Sequence, residues 1–374
     1  MQVGSLYHDK LEAYPTTSWS LTHVISVAAH SQLKKGTAIG RSLILFSFIL
    51  VTLLATAWPQ GQHNCRASEP LQQQNVVYGE SHGVGLVMDI FTPVGPKNGL
   101  AIVDVISGGW SSSRSKIRDH QQAQFFSILC GRGYTVFAIR PGSLPKFTIA
   151  EMVDHLQQGV VWVKQHADEY GIDIERIGLT GASAGGHLAS LLAVKNFSST
   201  VRRGADVASV RAVAIFFPPT DLLQFGSQDA SAGELTAMAR RVAFPNGAGD
   251  ATEEQIRQKL IEISPTRLVT ADAPPFLLIH GTADEVVPLE QSQKLIAALR
   301  EHGVPAELIL KEGGGHPWLT IHQEVAKLAD WFDRQLGNPL GEDTSEAPAT
   351  EKPATEKPEQ GIEVITWKQF REMQ

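Results

Sequence analysis

The sequence predicts an α/β fold, a mostly parallel sheet covered by helices on both faces. Three observations lead there. Short apolar runs alternate along the chain with longer stretches whose apolar residues recur every three or four positions. That alternation of strand and helix patterns builds parallel sheets. The pentapeptide Gly181-Ala182-Ser183-Ala184-Gly185 lies between an apolar run and a small-residue helical stretch, as a strand–turn–helix would place it. Finally, the 374 residues are 43% hydrophobic and 19% charged, which supplies a sizeable core for one large domain or two smaller ones.

From the N-terminus, the first segment reads as an address. Residues 43–57 carry no charge, follow Lys34, Lys35 and Arg41, and close on Ala55-Thr56-Ala57. This is the three-part form of a secretory signal. It is short beside the ~20 apolar residues of a bilayer span. An uncleaved signal anchor is the alternative, and only that would attach the chain to a membrane. Residues 1–33 do not fit a signal peptide, whereas a start at Leu33 would give an ordinary one of about 25 residues. Cleavage near Ala57 predicts a secreted or periplasmic protein. Residues 58–75 are polar and expected to be loosely ordered.

The elements then follow in order. Val76-Val77-Tyr78 and residues 86–91 predict two strands around Gly83 and Gly85. Residues 100–106 predict a strand, 119–132 a helix and 134–139 a strand. In the predicted helix over 149–170, Val153, Leu156, Val160, Val163 and Ala167 share one face. Residues 176–180 form the strand before the pentapeptide, and 186–194 the helix after it. Strands over 210–217, 276–280 and 306–310 and helices over 289–302 and 321–336 complete the series. Residues 222–263 interrupt it, with a helical pattern over 253–263. They predict a small cap over the site or a surface insertion.

The composition changes after Gly337. Ala-Thr-Glu-Lys-Pro occurs at 349–353 and again at 354–358, so 341–361 predicts a disordered linker. Residues 362–374 are apolar again and too few to fold alone. The catalytic domain is expected over 76–340.

Several function classes are disfavoured. A net charge of −7 argues against a nucleic-acid partner. Cys65 and Cys130 could form one bridge, but they are too few for a disulfide framework. Cys130, within an apolar run, is expected in the core. Neither zinc-ligand spacing nor a glycine-rich phosphate loop occurs, so no metal or cofactor is expected.

The chemistry centres on Ser183. A serine hydroxyl is a weak nucleophile and must stand clear of the backbone, where a histidine can take its proton. A sharp strand-to-helix turn, with Gly181 and Gly185 leaving room, provides this. The acid and base are expected at the carboxyl ends of later strands, where open α/β sheets bind ligands. Asp284 follows the strand over 276–280, and His316 lies in the glycine-rich loop after the last strand. His302 and His322 lie in or beside helices, while His187 is expected to pack and His280 to position the Asp284 loop. Asp272 and Asp333 are less favourably placed. For the oxyanion hole, the expected donors are the amides of Ala184, Gly108 and Gly109, the last two in Ile106-Ser107-Gly108-Gly109-Trp110. Trp110 and Trp318 are candidate substrate contacts.

These motifs over about 76–336 resemble the esterase/lipase branch of the α/β-hydrolase superfamily. The likeness is to secreted carbohydrate-esterase-like members and, more loosely, to prolyl oligopeptidase catalytic domains. It is carried by Tyr170-Gly171-Ile172-Asp173, the pentapeptide with Gly186-His187, His280-Gly281-Thr282-Ala283-Asp284, and Gly315-His316. In that branch the oxyanion loop usually reads His-Gly-Gly-Gly-Trp; here Ile106 and Ser107 stand in the first two places. The resemblance implies an α/β-hydrolase fold and ester cleavage through an acyl-enzyme on a Ser183–His316–Asp284 triad, without metal or cofactor. A secreted esterase for small acyl groups, on polysaccharide among other substrates, is the leading expectation. A peptidase and a catalytically inactive surface-binding module are the alternatives.

Overall fold

Apolar residues alternate along the third strand: Ala101, Val103 and Val105 enter one buried cluster, Ile102 and Ile106 the other. A strand with both faces apolar must be covered on both. The computed structural model, which describes residues 69–196, 208–226, 228–229 and 237–340, shows how. Eight strands form one sheet: β1 (Leu71–Ser81), β2 (Val84–Thr92), β3 (Ala101–Val105), β4 (Thr135–Arg140), β5 (Ile177–Ala182), β6 (Ala212–Phe216), β9 (Phe276–Gly281) and β10 (Ala306–Lys311). Their spatial order is β1-β2-β4-β3-β5-β6-β9-β10. β1 with β2 and β2 with β4 pair antiparallel; every other neighbouring pair is parallel. This is an α/β-hydrolase fold.

Helices α1 (Arg114–Gln122), α2 (Phe125–Gly131) and, last in the chain, α9 (Ile321–Leu336) lie on the face of Ile102 and Ile106. Helices α3 (Ile149–Gln165), α4 (Ala167–Tyr170) and α5 (Ala184–Asn196) cover the other, with α8 (Glu290–Glu301) toward the β10 edge. A capping box starts α3, where Thr148 and Glu151 satisfy each other's backbone amides. Gly337, at φ 63°, ends α9.

Three differences from the expected elements have local causes. The helix expected over 119–132 is two helices. Gln124 turns left-handed at φ 57°, so α2 buries Phe125, Phe126, Leu129 and Cys130 while α1 buries only Ile117. The helix expected over 149–170 breaks at His166. Residues 71–75, expected to be loosely ordered, begin β1. They carry no apolar alternation because polar contacts hold them: Gln72 Nε2 and the Asn75 amide donate to buried Asp89, at 2.8 and 3.0 Å. Asp89 also holds Arg114 and Arg140.

The insertion contains a two-residue hairpin, β7 (Gln224–Phe225) with β8 (Gln228–Asp229), then α6 (Ala237–Ala243) and α7 (Glu253–Glu262). Its two ends are pinned together. The Leu222 amide donates to Ser264 Oγ at 2.8 Å. Arg267 donates to both carboxylate oxygens of buried Asp221, at 3.0 and 2.9 Å. Cys130 is buried, and burial pushes its thiol up to about 12. Cys65, the signal segment, the 341–361 linker and the 362–374 tail lie outside the described residues. Among the described residues no helix is long and apolar enough to cross a membrane.

Removing Arg267 would take the cation from a buried carboxylate whose Oδ1 keeps the Leu223 and Gln224 amides. Arg267→Met is therefore expected to lower stability by about 2–4 kcal/mol, less than for a fully buried pair because the guanidinium is partly exposed. Urea unfolding checks this; an unchanged midpoint would mean that the pair does not anchor the insertion.

Candidate active site

The chain leaves β3 toward β4 on one side and returns to β5 on the other. The carboxyl ends of β3 and β5 therefore form a switch point, where open sheets leave a crevice. Ser183 stands there, between β5 and α5. Its φ is 54°, a left-handed value that a side chain adopts only when its surroundings enforce it. The Ser183 amide donates to the Phe216 carbonyl at 2.9 Å, and its own carbonyl accepts the His187 amide at 2.9 Å. A β-carbon on Gly181 would lie 2.6 Å from the Gly185 carbonyl carbon. One on Gly185 would overlap the Val105 carbonyl oxygen, so both positions require glycine.

The structure brings Ser183, His316 and Asp284 into one hydrogen-bonded line. Ser183 Oγ lies 2.9 Å from His316 Nε2, and His316 Nδ1 lies 2.7 Å from Asp284 Oδ2. With the acid ionised, Nδ1–H donates to the carboxylate, and Nε2 is left to accept the serine proton. The Asp284 carboxylate is completely buried. Burial alone would raise its pKa. Hydrogen bonds from His280, His316 and the Val287 amide outweigh that and hold it well below the usual carboxylate range. Oδ1 accepts the amides of Val286 and Val287, each at 2.9 Å. His280 is itself buried and bonded to Ser292 Oγ and the Val287 carbonyl.

The acid and base loops interlock. The Ala283 amide donates to the Gly314 carbonyl at 2.9 Å, and the Gly313 amide to Thr282 Oγ1 at 2.9 Å. A β-carbon on Gly281 would overlap the Gly314 carbonyl oxygen. The Phe217 ring packs on the other side of His316, with centroids 4.4 Å apart. Phe217 was not among the candidates. Its place at the end of an apolar strand marked it only as core, and its left-handed φ of 35° has no sequence signal.

The expected oxyanion donors divide. Ala184 opens α5, where the first amides have no intrahelical acceptor. Among the described residues neither its amide nor that of Gly109 has a partner. Gly108 is a correction: its amide donates to the Ser111 carbonyl at 3.0 Å in a small antiparallel bridge. The two tryptophans, candidate substrate contacts, bond through their indole nitrogens within the protein. Trp110 is 8% exposed, and its indole N–H donates to His187 Nδ1 at 3.0 Å. Trp318 donates to Glu324 Oε2 at 2.7 Å, tying the His316 loop to α9. Both indole N–H groups are thus committed to acceptors within the protein. His302 bonds to its own helix and Asp333 to Arg132, Tyr134 and Asn338. Among the described residues no group of three His, Cys, Asp or Glu could hold a metal ion.

The BD-FAE family model matches residues 88–299, more than half of the chain. The match contains Ser183 and Asp284. The chain is 30% identical over 204 residues to the probable carboxylic ester hydrolase LipM of Mycobacterium tuberculosis, covering 54% of this chain and 44% of that one. It is 26% identical over 280 residues to the probable isoprenylcysteine alpha-carbonyl methylesterase ICMEL1 of Arabidopsis thaliana, covering 73% and 57%. The chain thus spans about half the length of these curated relatives. Among solved structures, a truncated carbohydrate esterase from gut microbiota shares the fold at 24% identity and TM-score 0.59, covering 73% of this chain and 98% of that one. The thermophilic esterase Est2 of Thermogutta terrifontis matches at 26% identity and TM-score 0.56, covering 73% and 94%. A paraoxon-phosphorylated form of that esterase matches at 25% and 0.53, covering 72% and 95%.

Gly281→Ala should force the two loops apart. The expected cost is about 1–3 kcal/mol, as for overpacking elsewhere, with faster amide exchange at Ala283. Thermal melting and hydrogen exchange check this; an unchanged exchange rate would show that the loops are not held by this contact.

Proposed function

The chain belongs to the BD-FAE family, and from that premise we propose that it is a serine hydrolase of carboxylic esters. The observation that carries the reading is the continuous line from Ser183 Oγ through His316 to a buried, ionised Asp284. Ser183 Oγ attacks the ester carbonyl carbon as His316 Nε2 takes its proton. The carbonyl oxygen becomes an oxyanion facing the Ala184 and Gly109 amides, with the N-terminal end of α5 adding favourable charge. The C–O bond to the alcohol then breaks, and the leaving alkoxide takes the proton from His316. Water repeats the sequence on the acyl-enzyme: it gives a proton to His316, bonds to the acyl carbon and releases Ser183 with that proton. Asp284 stabilises the transient imidazolium and stays ionised. LipM, with its carboxylic ester hydrolase name, and the Thermogutta esterase support this chemistry.

The finer reading is a secreted enzyme that removes small acyl groups, including groups on polysaccharide. The uncharged 43–57 segment supports secretion, and the family resemblance supports the acyl ester. Acetylated and feruloylated sugars, aminoacyl esters and peptides, compared at equal concentration, separate this from the alternatives. Faster cleavage of peptides than of every ester would favour a peptidase. Inactivity on all of them would favour a binding module.

Ser183→Ala and His316→Ala should each cut kcat on p-nitrophenyl acetate by at least about 10³-fold, and Asp284→Asn by less. More than a few percent residual activity in Ser183→Ala would overturn the assignment. Paraoxon should add one diethylphosphoryl group, located on Ser183 by peptide mass spectrometry. Activity should fall on acidification, because only a neutral imidazole can accept the serine proton. A rate that rose on acidification would contradict the base role. Deleting 341–374 should leave turnover of a soluble ester unchanged, since that composition does not order itself. A large loss would place the tail within the catalytic unit.

A further inference from the structure

His187 is buried inside α5, directly after the elbow, and its exposure is 0%. The triad makes no use of it, yet three segments meet on this residue. Its backbone amide donates to the Ser183 carbonyl at 2.9 Å. Its Nδ1 accepts the Trp110 indole N–H at 3.0 Å, and its Nε2 lies 2.7 Å from the Ile263 carbonyl at the exit of the insertion. The partners determine the tautomer. An indole N–H can only donate, so Nδ1 carries a lone pair; a carbonyl can only accept, so Nε2 carries the proton. The ring is therefore neutral, and burial pushes its pKa down to about 4.

Trp110 is the other half of the observation. It is left-handed at φ 56°, as is Gly109 before it, and the Gly109 amide has no partner among the described residues. A tryptophan holds such a backbone only when its side chain and flanks are fixed. The Trp110 carbonyl accepts the Leu144 amide at 3.0 Å, and the ring stands edge-on to His187 with centroids 5.7 Å apart. The indole–imidazole bond is the side-chain tie between this loop and the nucleophile's own helix.

We propose that His187 is a positioning residue: through Trp110 it sets the Gly109 amide against the oxyanion formed at Ser183. It touches neither substrate nor reacting atoms. The proposal rests on the ester-hydrolase reading, and it predicts an effect on the transition state rather than on substrate binding.

The test compares three variants of the full chain. His187→Leu keeps the bulk and removes both side-chain hydrogen bonds. His187→Gln restores the polarity, with Oε1 accepting from the indole and Nε2 donating to Ile263. Trp110→Phe removes the donor. Both His187→Leu and Trp110→Phe should lower kcat on p-nitrophenyl acetate by about tenfold to a hundredfold, the cost of a misplaced group. KM should stay within about threefold, because the lost interaction belongs to the transition state. His187→Gln should recover most of kcat. The double variant His187→Leu/Trp110→Phe should be no worse than the worse single one, since both break the indole–imidazole bond. Amide exchange over 107–111 should quicken in His187→Leu and return toward wild type in His187→Gln. Full kcat in a folded His187→Leu, losses that multiply in the double variant, or a Gln variant no better than Leu would each overturn the proposal. If the wild-type chain cleaved no ester, the function reading would fall, and the exchange comparison would still decide whether His187 fixes the loop. If His187→Leu did not fold, His187→Gln and Trp110→Phe would carry the same decision.

Discussion

At Gly185 the elbow helix begins so close to β3 that a β-carbon would overlap the Val105 carbonyl oxygen. The rest of the site depends on that approach of backbone to backbone. It brings the start of α5 beside the loop that leaves β3, where the Gly185 amide donates to the Ser107 carbonyl at 3.1 Å. Beside it the turn at Ser183 is left-handed, at φ 54°. The same device recurs where Gly281 meets Gly314, and there it locks the acid loop to the base loop. One close contact between glycine and a main-chain carbonyl thus sets the elbow against β3, and the other sets the Asp284 loop against the His316 loop. Side chains then refine an arrangement that the backbone has already determined.

Burial disfavours charge at both titratable groups that the site keeps away from water, yet they end in different states. Asp284 is buried and remains ionised, because two amides and two histidines supply donors to its oxygens. His187 is buried and remains neutral, because one of its partners needs an acceptor and the other a donor. At Asp284 the hydrogen bonds overcome burial, whereas at His187 burial prevails. His316 is partly exposed and bonded to one acid and one hydroxyl.

Much of this was legible in the chain. The strand–helix alternation, the elbow and the two later loops contain their own punctuation: glycines at turns and apolar runs before them. Residues Ser183, Asp284 and His316 each end such a run at the carboxyl edge, so their convergence follows from a parallel sheet. Illegible were features that depend on a distant partner. Residues 71–75 lack any strand pattern because Asp89, rather than apolar packing, holds them. Gly108 resembles Gly109 in sequence, and only the bridge to Ser111 commits one amide and leaves the other. Trp110 and Trp318 stand beside the motifs and invite a substrate role. Their indole nitrogens instead satisfy His187 and Glu324. Sequence adjacency to a site says where the backbone passes and nothing about where a long side chain ends.

The insertion adds a further coupling. Its exit carbonyl, Ile263, holds the proton of His187, while its base is closed by Ser264 on Leu222 and by Arg267 on Asp221. A displacement of the 222–263 segment therefore has a direct route to the elbow helix. The route is a carbonyl moving away from an imidazole whose other nitrogen orients Trp110. Two hydrogen bonds on one ring thus join the most variable kind of segment, a surface insertion, to the part of the site least tolerant of movement. Such a link favours an insertion whose end is rigid even where its middle differs, and α7, with its capping box at Thr252 and Gln255 and its buried Ile256 and Leu260, has that construction.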